Sequence, residues 1–184
     1  TSMTYRPPVN LSGIDFIQYV VTDNGSPQRS GTGTITVNLA AINDAPQFTR
    51  GADQVSAEDS GSVTVSNWVT GIMAGPASAT DELANQTVSF EAVALNPGLF
   101  VVQPSIASDG TLSYTPALDA NGTSLVTVRA IDDGSADAPN INASATQTFT
   151  ITVSPVNDAP VFTPGGDVTV AEDSGAQSSP WATN

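Results

Sequence analysis

One segment of this chain occurs twice. AINDAPQF, with Asn43, Asp44, Pro46 and Phe48, returns as PVNDAPVF, with Asn157, Asp158, Pro160 and Phe162, at an offset of 114 residues. AEDSG repeats at the same offset, Glu58 and Asp59 against Glu172 and Asp173, and Trp68 reappears one residue early as Trp181. Tyr5, Pro7, Gly13 and Asp23 match Tyr114, Pro116, Gly122 and Asp132 at an offset of 109. The five-residue difference is an insertion between Asp132 and Asn157, where GSADAPNINASATQ replaces GSPQRSGTG. Lengthening a loop between strands costs little free energy. The repeat divides the chain into the end of one module (1–43), one complete module (44–156) and the start of a third (157–184). Stacked repeats bury surface against their neighbours, so the two flanking pieces are expected to be less stable than the middle unless something completes them.

Within the modules the apolar residues alternate. Phe149, Ile151 and Val153 share one face of a predicted last strand while Thr148, Thr150 and Thr152 share the other, and Ile35, Val37 and Leu39 repeat that face. Val126, Val128 and Ala130 form an inward row on the strand before it, matched by Ile17, Tyr19 and Val21. Val88, Phe90 and Ala92 form a third row, and Asp109-Gly110 marks a turn ahead of Leu112 and Tyr114. Threonine and valine supply 41 positions, and both pack well on a pleated surface; 13 prolines and 15 glycines oppose long helices, and no run reads as an amphipathic helix. About seven short strands between turn signals imply an all-β, Greek-key immunoglobulin-like β-sandwich. Trp68, Phe90, Phe100, Tyr114 and Phe149 are expected in its core, because their spacing requires no exposed aromatic row.

Charge narrows the function. Eighteen acidic side chains face four arginines, with no lysine or histidine, for a net charge of −14. Such a surface repels nucleic acid and draws divalent cations wherever carboxylates cluster. Without cysteine, neither disulfides nor thiolate metal sites can brace the fold, which leaves oxygen ligands as the available cross-link. No apolar stretch is long enough for membrane insertion. The absence of histidine, cysteine and lysine removes the commonest acid-base and nucleophilic groups, and the carboxylates fall at repeat junctions rather than around one cleft, so an enzyme is not expected. A glycosidase needs only two carboxylates, so residue type alone leaves that chemistry open.

The order of motifs in the middle module resembles the cadherin superfamily in its bacterial form, the calcium-binding tandem repeats of large surface adhesins. AED comes first, followed by DELANQTVSF, SDGTLSYTPALDANG, VTVRAIDDG and finally VNDAP. The resemblance covers essentially the whole chain and implies calcium held between modules by the lower loops of one, the linker, and the upper loops of the next. Carried over by position, the joint after the middle module would use Glu58, Asp119, Asn157 and Asp158. Asn121 stands there where the family commonly has glutamate. The joint before it would use Asn43 and Asp44 from the linker with Asp81, Glu82 and Asp132, and Asn10, aligned with Asp119, adds an amide oxygen. The adjacent Asp81 and Glu82 replace the family's two aspartates spaced by one residue.

Calcium takes six to eight oxygens and favours carboxylates helped by amide and carbonyl groups. The simpler alternative for Asp44 and Asp158 is a turn cap ahead of Pro46 and Pro160, since aspartate readily accepts from nearby backbone amides. Two functions follow as expectations. In one, calcium-stiffened repeats form an extracellular adhesin, stalk or fibre, secreted or on the cell surface, whose partners are neighbouring modules of the same chain and homophilic or fibre contacts. In the other, calcium presents a binding surface for a glycan, a peptide or a surface protein, which requires exposed aromatics or a polar groove.

Overall fold

The computed structural model describes residues 2–180 and 182–183. Its strands, in chain order, are β1 (Gly13–Thr22), β2 (Ser30–Leu39), β3 (Gln47–Thr49), β4 (Gln54–Ala57), β5 (Val63–Val65), β6 (Thr70–Met73), β7 (Val88–Ala94), β8 (Phe100–Ile106), β9 (Leu112–Pro116), β10 (Gly122–Asp132), β11 (Gln147–Ser154), β12 (Thr163–Pro164) and β13 (Ala182–Thr183). The one α-helix among the described residues, α1 (Thr80–Asn85), precedes β7, and a 3-10 turn at Pro97–Leu99 leads into β8. Trp181, paired with Trp68 by the repeat, lies outside the described residues.

Two sheets face each other. One is ordered β4-β11-β10-β7 and the other β5-β9-β8, with β3 and β6 pairing beside them. Neighbours run antiparallel except β4, which lies parallel to β11 from Gln54 opposite Ile151 to Ala57 opposite Ser154. The period-two rows meet between the sheets. Val126, Val128, Ala130, Phe149, Ile151 and Val153 from the first pack against Ile106, Leu112 and Tyr114 from the second, with Trp68, Val69 and Phe100 filling the ends. Trp68 lies against Phe149 with ring centroids 4.3 Å apart and donates its indole N–H to Ala52 O at 2.9 Å. Phe90, on the edge strand β7, is half-buried and meets Phe48 edge-on at 5.5 Å. The chain is thus an all-β sandwich whose aromatic residues mainly serve its core.

Local sequence explains the turns. Asp109 accepts from the Thr111 amide at 2.9 Å, and Gly110 takes φ +84° so close to Val69 O that a side chain would collide with it. The repeat is visible in the backbone as well. Asn10 and Asp119 both adopt φ near +56°, at +56° and +55°, a region asparagine and aspartate tolerate better than other side chains, and Gly61 and Gly175 match at +69° and +74°.

Every buried residue among those described lies between Asn43 and Val153. The β1–β2 hairpin pairs in register, Ile17 opposite Ile35, yet Tyr19, Val21 and Ile35 on its apolar face are exposed. The helix α1 departs from the sequence expectation. At six residues it is shorter than two turns, so no periodic pattern could announce it, and a helix of that length depends on tertiary contacts rather than its own propensity.

Candidate functional site

At the upstream end of the sandwich, the inward row of β10 ends on a charged residue. Ser124, Val126, Val128, Ala130 and Asp132 alternate on one buried face, so the pleat that builds the core also carries the Asp132 carboxylate to its rim, 4% exposed. Asp132 Oδ1 accepts from the Gly134 amide at 2.8 Å and from Asn43 Nδ2 at 3.0 Å, while Oδ2 is buried without a partner. Helix α1 brings a second carboxylate. Glu82, also 4% exposed, accepts the Asp44 amide on Oε1 at 2.8 Å, and its Oε2 is likewise buried without a partner. Gly75 lies so close to this oxygen that a side chain there would strike it.

The neighbouring charges complete the picture. The Asp44 carboxylate makes no hydrogen bond among the described residues, and the turn-capping alternative is not realised there. Asp81 Oδ2 accepts from Ser12 Oγ at 2.8 Å, and Asn10 Nδ2 donates to Ser78 Oγ at 2.8 Å, so the segment before the hairpin touches the α1 region directly. Between them lies an open cleft of about 580 Å³ lined by Asn10, Ser12, Asp44, Asp81 and Glu82 among others. No three acidic side chains among the described residues close into a ready cluster by themselves. Burial pushes the Glu82 carboxyl above the usual glutamate range; the hydrogen bond from Asp44 opposes this shift, and the charges of Asp44, Asp81 and Asp132 add to it.

That shift sets a pH dependence. A raised folded pKa means the folded state holds a proton that the unfolded state has already lost, so stability falls as pH rises through the window above the ordinary glutamate range. In chelator, acidification through that window is therefore expected to raise the melting temperature. Asp133 and Asp109 act in a different window. Hydrogen bonds from Thr87 and Thr111 depress their carboxyls, and that stabilisation is lost only as pH falls below the ordinary aspartate range. Thermal melts across pH in chelator check this: a flat profile above the glutamate range would contradict the burial of an ionisable Glu82.

At the downstream end, Glu58 follows β4 and is 3% exposed. Its Oε1 accepts the Val156 amide at 2.7 Å and its Oε2 accepts Asn121 Nδ2 at 3.1 Å, so this carboxylate ties the end of β11 to the loop before β10. Asp158 has its carboxyl raised by desolvation, by the charges of Asp119, Asp59 and Glu58, and by a hydrogen bond with Asp119. Asp119 and Asp158 are thus neighbours in charge, and both are exposed. Asn157 Nδ2 reaches only the carbonyl of Asp158, at 3.3 Å.

The sequence-assigned residues thus gather as two groups, Asn43, Asp44, Asp81, Glu82 and Asp132 at one end, and Glu58, Asp119 and Asp158 at the other, with Asn157 beside them. Three participants were missed. Asp59 adjoins Glu58 in the repeated AEDSG and carried a signal. Gln86 and Asn140, which both bond Asn43, carried none, being 43 and 97 residues away from it.

A calcium ion fits the upstream group on two features of the structure. The donors are hard oxygens, and two of them, Glu82 Oε2 and Asp132 Oδ2, are buried with no hydrogen bond, which is a costly arrangement unless something pairs with them.

Over 155 residues, 82% of the chain, the sequence is 33% identical to Protocadherin Fat 1 of Homo sapiens, and the match spans 3% of that protein's length. No family model matches the chain. Among solved structures, Protocadherin Gamma B2 extracellular cadherin domains 1–5 align over 79% of this chain and 27% of theirs, at 19% identity and a TM-score of 0.48. The Protocadherin gammaB7 EC3–6 cis-dimer aligns over 79% of this chain and 34% of its own, at 22% identity and a TM-score of 0.49. The chain is cadherin-like in sequence over most of its length.

Proposed function

We propose that this chain is a calcium-stiffened tandem repeat of an extracellular adhesin or surface stalk, of the kind found in large bacterial surface proteins. The observation that carries the reading is the pair of buried, half-used carboxylates, Glu82 and Asp132, each spending one oxygen on the frame and leaving the other unpartnered beside Asp44 and Asp81. In this reading Asp44, Asp81, Glu82 and Asp132 hold calcium at the upstream joint. Asn10 Oδ1 stands as a further oxygen from the preceding module. Glu58, Asp119, Asn157 and Asp158 take the corresponding part downstream, where the following module supplies the remaining ligands. Calcium supplies the positive charge that lets these carboxylates stay together, and the protein supplies their placement. Its partners are then the neighbouring modules and, beyond them, copies of itself in homophilic or fibre contacts, or a surface protein.

The glycan-presenting alternative finds no aromatic platform between Asn43 and Val153, where Trp68, Phe100, Tyr114 and Phe149 are buried; the exposed aromatics Phe16, Tyr19 and Phe162 lie outside that stretch and form no contiguous row in sequence. Extracellular modules bind calcium with dissociation constants of about 10⁻⁴ to 10⁻³ M, so about 10 mM calcium would stabilise each occupied site by roughly 1.4 to 2.7 kcal/mol. Calorimetric melts in chelator and in calcium, with small-angle scattering on the same samples, are expected to show a higher melting temperature and a narrower range of dimensions with the ion. Identical curves in both conditions would overturn the proposal.

A further inference from the structure

We infer that Asn43 and the inserted loop around Ser135–Ile141 form a latch that fixes the linker to the middle module without any metal ion, and that Asn43 positions the carboxylates of the joint rather than binding an ion. Every polar atom of Asn43 has a partner, and both side-chain amide hydrogens are used. Its Nδ2 donates to Asp132 Oδ1 at 3.0 Å, to Ile141 O at 3.0 Å and, more weakly, to Ser135 O at 3.3 Å. Its Oδ1 accepts from Gln86 Nε2 at 2.6 Å, its backbone N–H donates to Asn140 Oδ1 at 2.8 Å, and its carbonyl accepts the Ile141 amide at 2.8 Å. The side chain is 7% exposed, and Gly134 packs so closely on its amide group that any side chain there would overlap it.

The loop arrives at Asn43 already shaped. Asn140 donates to Asp137 O through both its backbone amide, at 2.9 Å, and its Nδ2, at 2.7 Å, so its Oδ1 is held toward the linker. This is the stretch in which the middle module is longer than the preceding one. Its side chains from Ser135 to Pro139 are exposed, and it reaches the linker through Ser135 O, Asn140 Oδ1 and the backbone of Ile141. Asn157, the counterpart of Asn43 in the repeat, is exposed and among the described residues bonds only its neighbour's carbonyl. By holding Asp132 Oδ1, the latch decides which oxygen of that carboxylate stays free, and by fixing the residue before Asp44 it sets where the next carboxylate stands.

The latch itself is independent of the calcium reading, whereas the positioning role rests on it, and one set of measurements separates them. Amide exchange in chelator is expected to find Asn43 and Ile141 protected in the wild type. Asn140→Ala, which removes the acceptor of the Asn43 amide and touches no carboxylate of the joint, should speed exchange at Asn43 by about fivefold, the factor one ordinary hydrogen bond is worth. The same variant should weaken calcium binding, read by titration calorimetry, by about threefold to tenfold. Unchanged exchange in Asn140→Ala would overturn the latch; faster exchange with unchanged calcium affinity would overturn the positioning role; and no calcium binding by the wild type would remove the calcium reading while leaving the latch result standing. Asn43→Asp gives a second discrimination. As an ion ligand it would bind calcium more tightly through its added charge, whereas as a latch it loses both donors and sets a carboxylate against Asp132, so weaker binding and faster exchange at Ile141 are expected.

Discussion

Glu82→Gln is expected to stabilise the calcium-free protein and to remove most of the calcium response of the upstream joint. Glutamine keeps an oxygen for the Asp44 amide, which now bonds Glu82 Oε1 at 2.8 Å, so the frame survives. It removes a buried charge that faces Asp44, Asp81 and Asp132 and has an unpartnered oxygen. The glutamine Nε2 takes the place of that oxygen and stays buried, so the gain comes from removing the charge and is on the order of 1 kcal/mol. A gain of that order raises the melting temperature by about 4–8 °C per kcal/mol in a domain near 100 residues. The gain should grow as pH rises through the window above the ordinary glutamate range, where the wild-type carboxylate ionises, and the acid-side rise in stability should disappear from the variant. Calcium affinity at the joint should fall at least about tenfold, since ligand charge is a main determinant of affinity in oxygen sites. Melts of both proteins in chelator and in calcium decide the matter. A variant less stable than wild type in chelator, with its calcium response intact, would mean that Glu82 is a structural group and not a ligand.

The same residue marks how far the sequence could be read. The inward rows of β10 and β11 were legible because strand alternation is strict and both faces differ: Val126, Val128 and Ala130 on one strand and Phe149, Ile151 and Val153 on the other are all buried. Continuing the β10 row by one more step places Asp132 inside, so its importance follows from the pattern too. The order of importance within Asp81-Glu82 did not follow. Only the phase of α1 decides which of the two points inward, and a six-residue helix leaves no periodicity from which to read it. Glu82 proves to be the buried one and Asp81 the half-buried partner of Ser12. The role of Asn43 was hidden for another reason. Its partners lie far away in sequence, and an insertion that looks inexpensive as a loop gives no sign that it will fold back as a clasp. Downstream, Glu58, Asp119 and Asp158 were grouped only by the resemblance, and the bond of Glu58 to the Val156 amide was not legible, since backbone amides have no sequence signature. Asn121, which donates its side-chain amide to the other oxygen, carried a signal as the residue standing where the family commonly has glutamate.

Phe149→Ala is expected to be the most damaging single change, and one that calcium does not repair. The ring is 1% exposed in the middle of β11, tilted against Trp68 at a centroid distance of 4.3 Å, and its strand is paired on one edge with β10 and on the other with β4. Truncating a buried phenylalanine removes its transfer free energy and leaves a cavity, for a loss of about 3–5 kcal/mol. Against a typical total of about 5–15 kcal/mol, that is a large fraction of the stability of a domain. An occupied calcium site returns only about 1.4–2.7 kcal/mol at about 10 mM ion, so the variant should remain well below the wild type even in calcium. Phe149 acts through packing between the sheets, and Glu82 through charge at their rim. The two substitutions should therefore add nearly independently when combined, as sites without shared partners do. Urea unfolding followed by circular dichroism, with and without calcium, measures both terms. A cost below about 1 kcal/mol for Phe149→Ala would mean that β10 and β11 are not packed as the structure has them.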